Sequence, residues 1–186
     1  IGKSVPYWAK RLEGSYITRE MLRSTRRPKE TRPYVNAGKV SQLPHGNEWL
    51  INLHALHECS VAITGPNPKR IFPKVTIIQV CEASKKDLIE EWLPKLDDPD
   101  AFIHKGYDGE HLKTYAVLTM CRILYRGKNN KVASKRVASS WVKKKYGRKW
   151  KDLVTKAENW QHAQGLVSEN IVKDFIRFTI KEIENV

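Results

Sequence analysis

Residues 110–126 read EHLKTYAVLTMCRILYR, and this stretch predicts the central helix of the fold. Its apolar residues recur three and four positions apart, which is the spacing of residues on one face of a helix. The predicted inner face consists of Leu112, Tyr115, Ala116, Thr119 and Ile123. Gly127 follows directly, and because glycine often follows the last turn of a helix, we expect this helix to end there.

Further helices are predicted on both sides of this stretch. They cover residues 48–59, 84–96, 134–147 and 150–161, and a last helix begins after Ser168 and runs to Ile183. Ser84 and Asp87 form a variant of the capping box, so we expect the second of these helices to start at Ser84. About five or six helices joined by short loops indicate a mainly α protein, a helical bundle.

The first part of the chain has a different character. Residues 12–17 (LEGSYI) alternate and contain bulky apolar side chains, which predicts a short strand with Glu13, Ser15 and Ile17 on one face. Residues 19–47 are polar and basic and contain three prolines, so they predict a linker with at most one short helix. We therefore place a domain boundary between residues 44 and 45.

Composition excludes several classes of protein. The chain has 186 residues, of which 40% are apolar, so it can bury a core without disulfide bonds. Its three cysteines form no CxxC pair, which excludes a zinc ribbon and favours free thiols in the cytoplasm. The sequence has no apolar run of the roughly 18 residues needed to span a bilayer and no secretory signal at its start.

The net charge of +14 calls for an anionic partner, and it is unevenly distributed. Residues 111–151 contain thirteen basic and no acidic residues, whereas residues 87–110 contain eight acidic and two basic residues. The run at 143–151, KKKYGRKWK, is suited to nucleic-acid phosphates, although a solvated helix end is the simpler explanation.

Two smaller motifs suggest ligand binding. His54, His57 and Cys59 have a spacing that metal sites use, but a third strong ligand is missing and packing or surface histidines are favoured. Ser134 and Lys135 stand at a predicted helix start, where unpaired backbone N–H groups and an ammonium group converge on an anion. Solvated side chains are the simpler alternative at this position too.

Several of these segments, in this order, resemble the aminoglycoside adenylyltransferases of the streptomycin/spectinomycin type. The similar segments are LEGSYI at 12–17, EW at 48–49, HE at 57–58, GP at 65–66, YAVLTMCRILY at 115–125, and VASK at 132–135 with Trp141. The resemblance runs from about residue 10 to residue 185. Those enzymes join a nucleotidyltransferase domain to a C-terminal helical domain and bind their substrates between the two.

The resemblance implies roles in adenylyl transfer from ATP, the co-substrate. Glu13 matches the strand carboxylate that acts as general base and ligates Mg²⁺. Lys135, with Ser134 beside it, matches the lysine that reaches the ATP phosphates. Glu48 and Trp160 fall near positions that line the nucleotide site.

The resemblance also implies a cationic, aminoglycoside-like substrate. Tyr115 occupies a site-facing position that is His in the best-known members, which bears on drug specificity. Asp108 and Glu110, within the acidic segment 87–110, are the candidate partners for the cationic drug.

One departure from the family pattern is large. The family's Gly-Ser…Asp-x-Asp segment precedes the strand carboxylate, but only twelve residues precede Glu13. We expect residues 1–44 to be the end of a nucleotidyltransferase domain with its linker, residues 45–186 to be the helical substrate- and nucleotide-binding domain, and the chain to be inactive alone.

The expected function of the parent protein is antibiotic resistance by transfer of AMP to a drug hydroxyl. Two alternatives remain open at this point. One is a basic helical module that binds nucleic acid, and the other is a related nucleotidyltransferase whose hydroxyl substrate is not an aminoglycoside, such as a lincosamide. We expect a cytoplasmic protein that does not bind membranes.

Overall fold

The computed structural model describes Tyr7 and residues 11–36, 38–102, 109–160 and 168–184. The chain forms two compact units, Ile1–Ala83 and Ser84–Val186. Helices dominate the described residues, and one small sheet near the N-terminus accompanies them, so the predicted mainly α class is confirmed. The domain boundary between residues 44 and 45 stays a prediction.

The first unit contains a three-stranded antiparallel sheet with the order β1–β2–β3. Its strands are β1 (Glu13–Ser15), β2 (Arg32–Asn36) and β3 (Lys39–Leu43). β1 confirms the strand predicted within residues 12–17. The linker predicted over 19–47 is wrong where β2 pairs with β3, although the 3₁₀ turn Met21–Arg23 matches the one short helix expected there.

The hairpin formed by β2 and β3 lacks the sequence alternation of a half-buried strand, and for that reason it was not predicted. β3 is exposed along its whole length, so no burial pattern marks it. Pro33 is the second residue of β2, close to the strand start that proline tolerates. Gly38 lies between the two strands with a φ of 80°, a left-handed conformation that glycine adopts without steric cost.

One α-helix lies within the first unit, and a second begins in it and continues past the boundary at Ala83. α1 (Glu48–Cys59) has the predicted bounds and buries Trp49 and Leu53. α2 (Ile77–Asp87) begins well before the predicted start at Ser84, so that prediction is wrong.

A different capping box explains the early start of α2. The Thr76 N–H donates to Gln79 Oε1 at 2.9 Å, and the Gln79 N–H donates to Thr76 Oγ1 at 3.3 Å. This is the reciprocal pattern of a capping box, and it satisfies two N–H groups at the helix start. Ser84 instead lies inside α2, is buried, and accepts a hydrogen bond from Arg126.

Helical winding changes directly after α2. Residues Leu88–Trp92 form a π-helical turn, in which the Leu93 N–H donates to the Leu88 carbonyl at 2.9 Å, and a 3₁₀ turn, Pro94–Leu96, follows. Such a turn adds one residue to a helix, and it often occurs at functional sites. The turn buries Leu88 and Trp92.

The second unit is the predicted helical bundle. Its helices are α3 (Gly109–Asn129), α4 (Lys135–Lys145), α5 (Gly147–Asn159) and α6 (Glu169–Glu184). α3 packs against the other three, and α5 begins at Gly147 rather than at the predicted Trp150. The largest fully buried side chains of this core are Phe102, Phe175, Leu88, Met120, Leu124, Ile176, Val117, Val142 and Val154.

α3 continues past Gly127, so the predicted end is wrong. Asn130 follows the helix with a φ of 50°, and its N–H donates to the Arg126 carbonyl at 2.9 Å. Gly127 serves packing instead, because a Cβ atom there would overlap Cδ1 of Ile183 on α6. None of the helices in the described ranges is both long enough and apolar enough to cross a membrane.

Candidate functional site

Glu13 lies on β1, and a tyrosine from the neighbouring strand binds its carboxylate. Tyr34 Oη donates a hydrogen bond of 2.5 Å to Glu13 Oε1. Tyr34 lies opposite Ser15 in the sheet, so Tyr34 and Glu13 are diagonal neighbours on one face. β1 is exposed along its length. Glu13 is therefore an oriented carboxylate open to solvent, as a general base for an external hydroxyl must be.

Arg32 of β2 joins three parts of the first unit. Its Nε donates to Ser15 Oγ on β1 at 2.9 Å, and its Nη1 donates to the Pro44 carbonyl at 2.5 Å. Its Nη2 pairs with Glu48 Oε1, at the start of α1, at 3.3 Å. Glu48 Oε1 also accepts from the Gly46 N–H at 3.1 Å. The guanidinium thus holds Glu48 in place relative to the sheet.

A small cavity lies beside this arginine. Its lining consists of Ser15, Ile17, Arg32, His45, Glu48, Trp49, Asn52, Leu53 and Leu56. The His45 ring meets the Trp49 ring edge-on with centroids 4.8 Å apart, and burial, with a smaller effect of Arg32, lowers the pKa of His45. At about 30 Å³ the cavity has room for one or two water-sized groups and none for a purine.

In the second unit, Tyr115 belongs to a cluster of aromatic and cationic side chains. Tyr115 is 41% exposed, so its predicted place on the inner face of α3 is wrong. Its ring stacks on that of Trp92 from the π-helical turn, with centroids 6.1 Å apart. Lys135 Nζ lies 5.5 Å from the Tyr115 centroid, and Lys95 Nζ lies 5.7 Å from the Trp92 centroid. We call these four residues the Trp92–Tyr115 cluster.

Lys135 owes its position to a capped helix start. Ser134 Oγ accepts from the Val137 N–H at 3.3 Å, which confirms the predicted N-cap. Lys135 and Arg136 follow, and the first turn of α4 contains no acidic residue. Backbone N–H groups at a helix start and an adjacent ammonium group attract the same anion. The start of α4 can therefore accept a phosphate group.

The remaining predicted site residues lie near the start of α3 and the end of α5. Glu110 pairs with Lys113 at 2.5 Å. Trp160 is the C-cap of α5, and its ring lies 5.8 Å from that of His111. Asp108 lies outside the described residues.

Part of the acidic segment 87–110 is engaged by its own neighbours. Asp87 Oδ2 accepts from the Trp92 indole N–H at 3.2 Å, and Glu90 pairs with Lys86 at 3.5 Å. Asp98 Oδ1 accepts from the Asp100 N–H at 2.8 Å. These contacts fit an ordinary helix-and-turn surface, so a role in drug binding stays a prediction.

The histidines of α1 have structural partners, as the sequence favours. His54 Nδ1 lies 2.8 Å from the Val75 carbonyl, and His57 Nδ1 lies 2.7 Å from Glu58 Oε1. The hydrogen bond from His57, with a smaller effect of Lys69, lowers the pKa of Glu58. The ranges that the structure describes contain no group of three metal-binding side chains.

The structure places the predicted site residues in two groups. Glu13 and Glu48 belong to the first unit, and the described remainder belongs to the second: Lys135, Ser134, Tyr115, Glu110 and Trp160. Sequence reasoning missed Tyr34 and Arg32, which orient the two carboxylates. It also missed the aromatic partner of Tyr115, because Trp92 has the apolar character of a core residue.

Comparison with known proteins identifies the helical part of the chain. The family model described as aminoglycoside adenylyltransferase, C-terminal domain, matches residues 70–182. That range contains the Trp92–Tyr115 cluster and Ser134, whereas Glu13 and Glu48 precede it. None of the curated proteins matches the chain at a significant level.

Proposed function

Because the chain belongs to the family of aminoglycoside adenylyltransferase C-terminal domains, we propose that it serves an enzyme transferring AMP from ATP to an aminoglycoside hydroxyl. The observation that carries the proposal is the position of Lys135 within the matched range. Lys135 opens a capped helix and lies 5.5 Å from the exposed ring of Tyr115. A phosphate-binding cation and an aromatic contact surface thus adjoin each other.

In this proposal Lys135 binds the triphosphate of ATP. Its ammonium group and the N–H groups at the start of α4 offset the negative charge that develops on pyrophosphate as it leaves. Ser134 fixes the helix start through its bond to the Val137 N–H. Glu48, held by Arg32, and Trp160 are the further residues proposed for the nucleotide site.

Glu13 is the proposed general base. Its carboxylate takes the proton of the drug hydroxyl while that oxygen attacks the α-phosphorus of ATP, and the bond from this phosphorus to pyrophosphate breaks. Tyr34 donates to Glu13 Oε1 and so fixes the direction of the carboxylate. Removing a general base of this kind lowers the rate by roughly 10²–10⁴-fold.

Mg²⁺ is the metal that the family's chemistry implies. Magnesium is commonly bound by one or two carboxylates together with phosphate oxygens, and the exposed Glu13 fits as one such ligand. When bound, the ion would neutralise charge on the phosphate oxygens. ATP as co-substrate also favours a cytoplasmic location.

The acceptor is proposed to be a cationic, aminoglycoside-like molecule. The exposed Tyr115 ring offers it an aromatic face, and Glu110 with the acidic segment 87–110 offers opposite charge. A hydroxyl substrate of another class would use the same base and the same phosphate site. Substrate choice therefore depends on the contacts around Tyr115.

The test compares two variants of the full-length protein that carries this chain. Glu13→Gln should keep ATP binding and lose AMP transfer, whereas Lys135→Gln should weaken ATP binding by roughly 10–100-fold, the effect of one charge-assisted hydrogen bond. Binding is measured by calorimetry, and transfer is measured with streptomycin, spectinomycin and a lincosamide. Retained transfer by Glu13→Gln would refute the assignment of the base, and unchanged ATP affinity in Lys135→Gln would refute the phosphate site.

A further inference from the structure

The corner between α4 and α5 is strongly basic. Five exposed cations lie within eight consecutive positions, and we call them the corner cations: Lys144, Lys145, Arg148, Lys149 and Lys151. Asp152 is the only acidic residue between positions 111 and 157. The corner therefore has a large positive charge that its own sequence does not balance.

Neighbouring carboxylates are engaged with other cations. Glu158 pairs with Lys143, and Glu182 of α6 pairs with Lys128 at 3.2 Å. Glu182 also accepts from Tyr146 Oη at 2.8 Å, which anchors the corner to α6. Lys145 shares the charge of Glu182. No ion pair with a carboxylate within 4 Å is found for Lys144, Arg148 and Lys151 among the described residues, so these three are the cations best placed to act on an external anion.

The aromatic rings at the corner are covered by its own lysines. Lys145 Nζ lies 5.0 Å from the Trp141 centroid, and Lys149 Nζ lies 4.7 Å from the Trp150 centroid. Trp150 is also buried in the core. Base stacking, the usual contribution of aromatic side chains to single-strand binding, needs exposed ring faces. Recognition here rests on charge instead.

We infer that the corner cations form a binding surface for the phosphate backbone of nucleic acid, separate from the proposed ATP site. The corner cations lie on two adjoining helix ends and are exposed, so they can contact several phosphates of one strand, and each contact releases condensed counterions. Because the rings are covered, the surface binds with little base preference. An anionic membrane is disfavoured, because interfacial binding relies on apolar side chains as well as on charge.

The test measures binding of the 186-residue chain to fluorescent RNA and DNA by anisotropy. Oligonucleotides of about 20 nucleotides exceed the roughly 4–16-nucleotide site of a single-strand binding fold. The variant combines Lys144→Gln, Arg148→Gln and Lys151→Gln. The matched control combines Arg19→Gln, Lys39→Gln and Lys74→Gln, which removes the same charge from exposed positions of the first unit.

We expect the corner variant to bind at least about tenfold more weakly than the control at about 50 mM salt. Its plot of log affinity against log salt should be shallower by about 2 for single strands, since each lost phosphate contact contributes about 0.7. The affinity of the corner variant for ATP should equal that of the control. This expectation holds whether or not the proposed AMP transfer is confirmed.

Four results would overturn the inference. One is the absence of binding to RNA and DNA at low salt, and another is an equal loss of affinity in both variants. The third is binding to phosphatidylserine vesicles without binding to either nucleic acid. An accompanying loss of ATP affinity in the corner variant would assign these cations to the nucleotide site and would likewise contradict the inference.

Discussion

Replacing Arg32 by alanine should lower the stability of the first unit, because this side chain connects β1 and the start of α1 to β2. Arg32 is 12% exposed, and it donates to Ser15 Oγ, to the Pro44 carbonyl and to Glu48. In the variant, Glu48 loses its cation and the Pro44 carbonyl loses its donor. β1 keeps its backbone pairing with β2 but loses the side-chain contact at Ser15, and the start of α1 loses its ion pair with the sheet.

The size of the effect follows from these three contacts. A hydrogen bond from a charged donor contributes about 1.5 kcal/mol at the low end of its range, and Arg32 makes two such bonds to neutral acceptors. The ion pair adds less than about 1 kcal/mol, because Glu48 is 41% exposed and solvent screens it. The expected loss of stability in Arg32→Ala is about 3 kcal/mol. Arg32→Lys should lose about half of that, because an ammonium group cannot make the several directed hydrogen bonds of a planar guanidinium.

Hydrogen exchange followed by mass spectrometry measures this loss locally. Amides of β2 and α1 should exchange roughly a hundredfold faster in Arg32→Ala than in the wild type, since about 1.4 kcal/mol corresponds to a factor of ten. Arg19→Ala is the control, because Arg19 is an exposed arginine of the same unit. Equal exchange in Arg32→Ala and Arg19→Ala would refute the role given to Arg32.

Two further predictions concern the helical bundle. Gly127→Ala should destabilise the wild type, because the added Cβ would overlap Cδ1 of Ile183. In an Ile183→Val background, which lacks that Cδ1 atom, the same substitution should stabilise the protein by about 1 kcal/mol, because alanine has a higher helix propensity than glycine. Urea unfolding measures both effects, and an equal effect of Gly127→Ala in the two backgrounds would contradict this prediction. The hydrogen bond from Tyr146, with a smaller effect of Lys128, lowers the pKa of Glu182. The ionised Glu182 therefore stabilises the folded protein above the ordinary pKa of 4.5, and this stabilisation disappears as the pH falls through the lowered pKa. Acidification from about pH 6 to pH 3 should therefore lower the melting temperature of the wild type more than that of Glu182→Gln. A larger decrease in Glu182→Gln than in the wild type would show that ionisation of Glu182 does not stabilise the fold.

Sequence periodicity predicted the helices better than their ends. α1 and the cap of α4 were predicted correctly, because an apolar stripe or a Ser N-cap marks them directly. The start of α2 was missed because two capping boxes compete in the sequence, and tertiary contact decides between them. Thr76 with Gln79 forms the cap, whereas Ser84 is buried and binds Arg126.

Glycine was a misleading stop signal for a similar reason. Gly127 has the position of a helix terminator, but its missing side chain makes room for Ile183. Asn130 adopts the left-handed conformation instead. Only the partner helix reveals which of the two functions a glycine serves.

The candidate site depended on long-range pairing that local patterns do not contain. The resemblance to a known family identified Glu13 and Lys135 as candidate site residues, whereas only the fold revealed the side chains that contact them. Tyr34 reaches Glu13 only through the antiparallel register of β1 and β2, and no spacing rule connects positions so far apart. Trp92, the last residue of the π-helical turn, stacks on Tyr115, and no spacing in the sequence indicates this contact.

The π-helical turn at Leu88–Trp92 makes the site sensitive to chain length at this point. An extra residue advances a helix by about 100°, so deleting one within the turn would change the direction in which the side chain of Trp92 leaves the helix axis. Deletion of Glu90 would leave every neighbouring side chain chemically intact and still carry the indole of Trp92 away from Tyr115. Relatives that differ by one residue at this turn would then present a different arrangement of side chains around Tyr115.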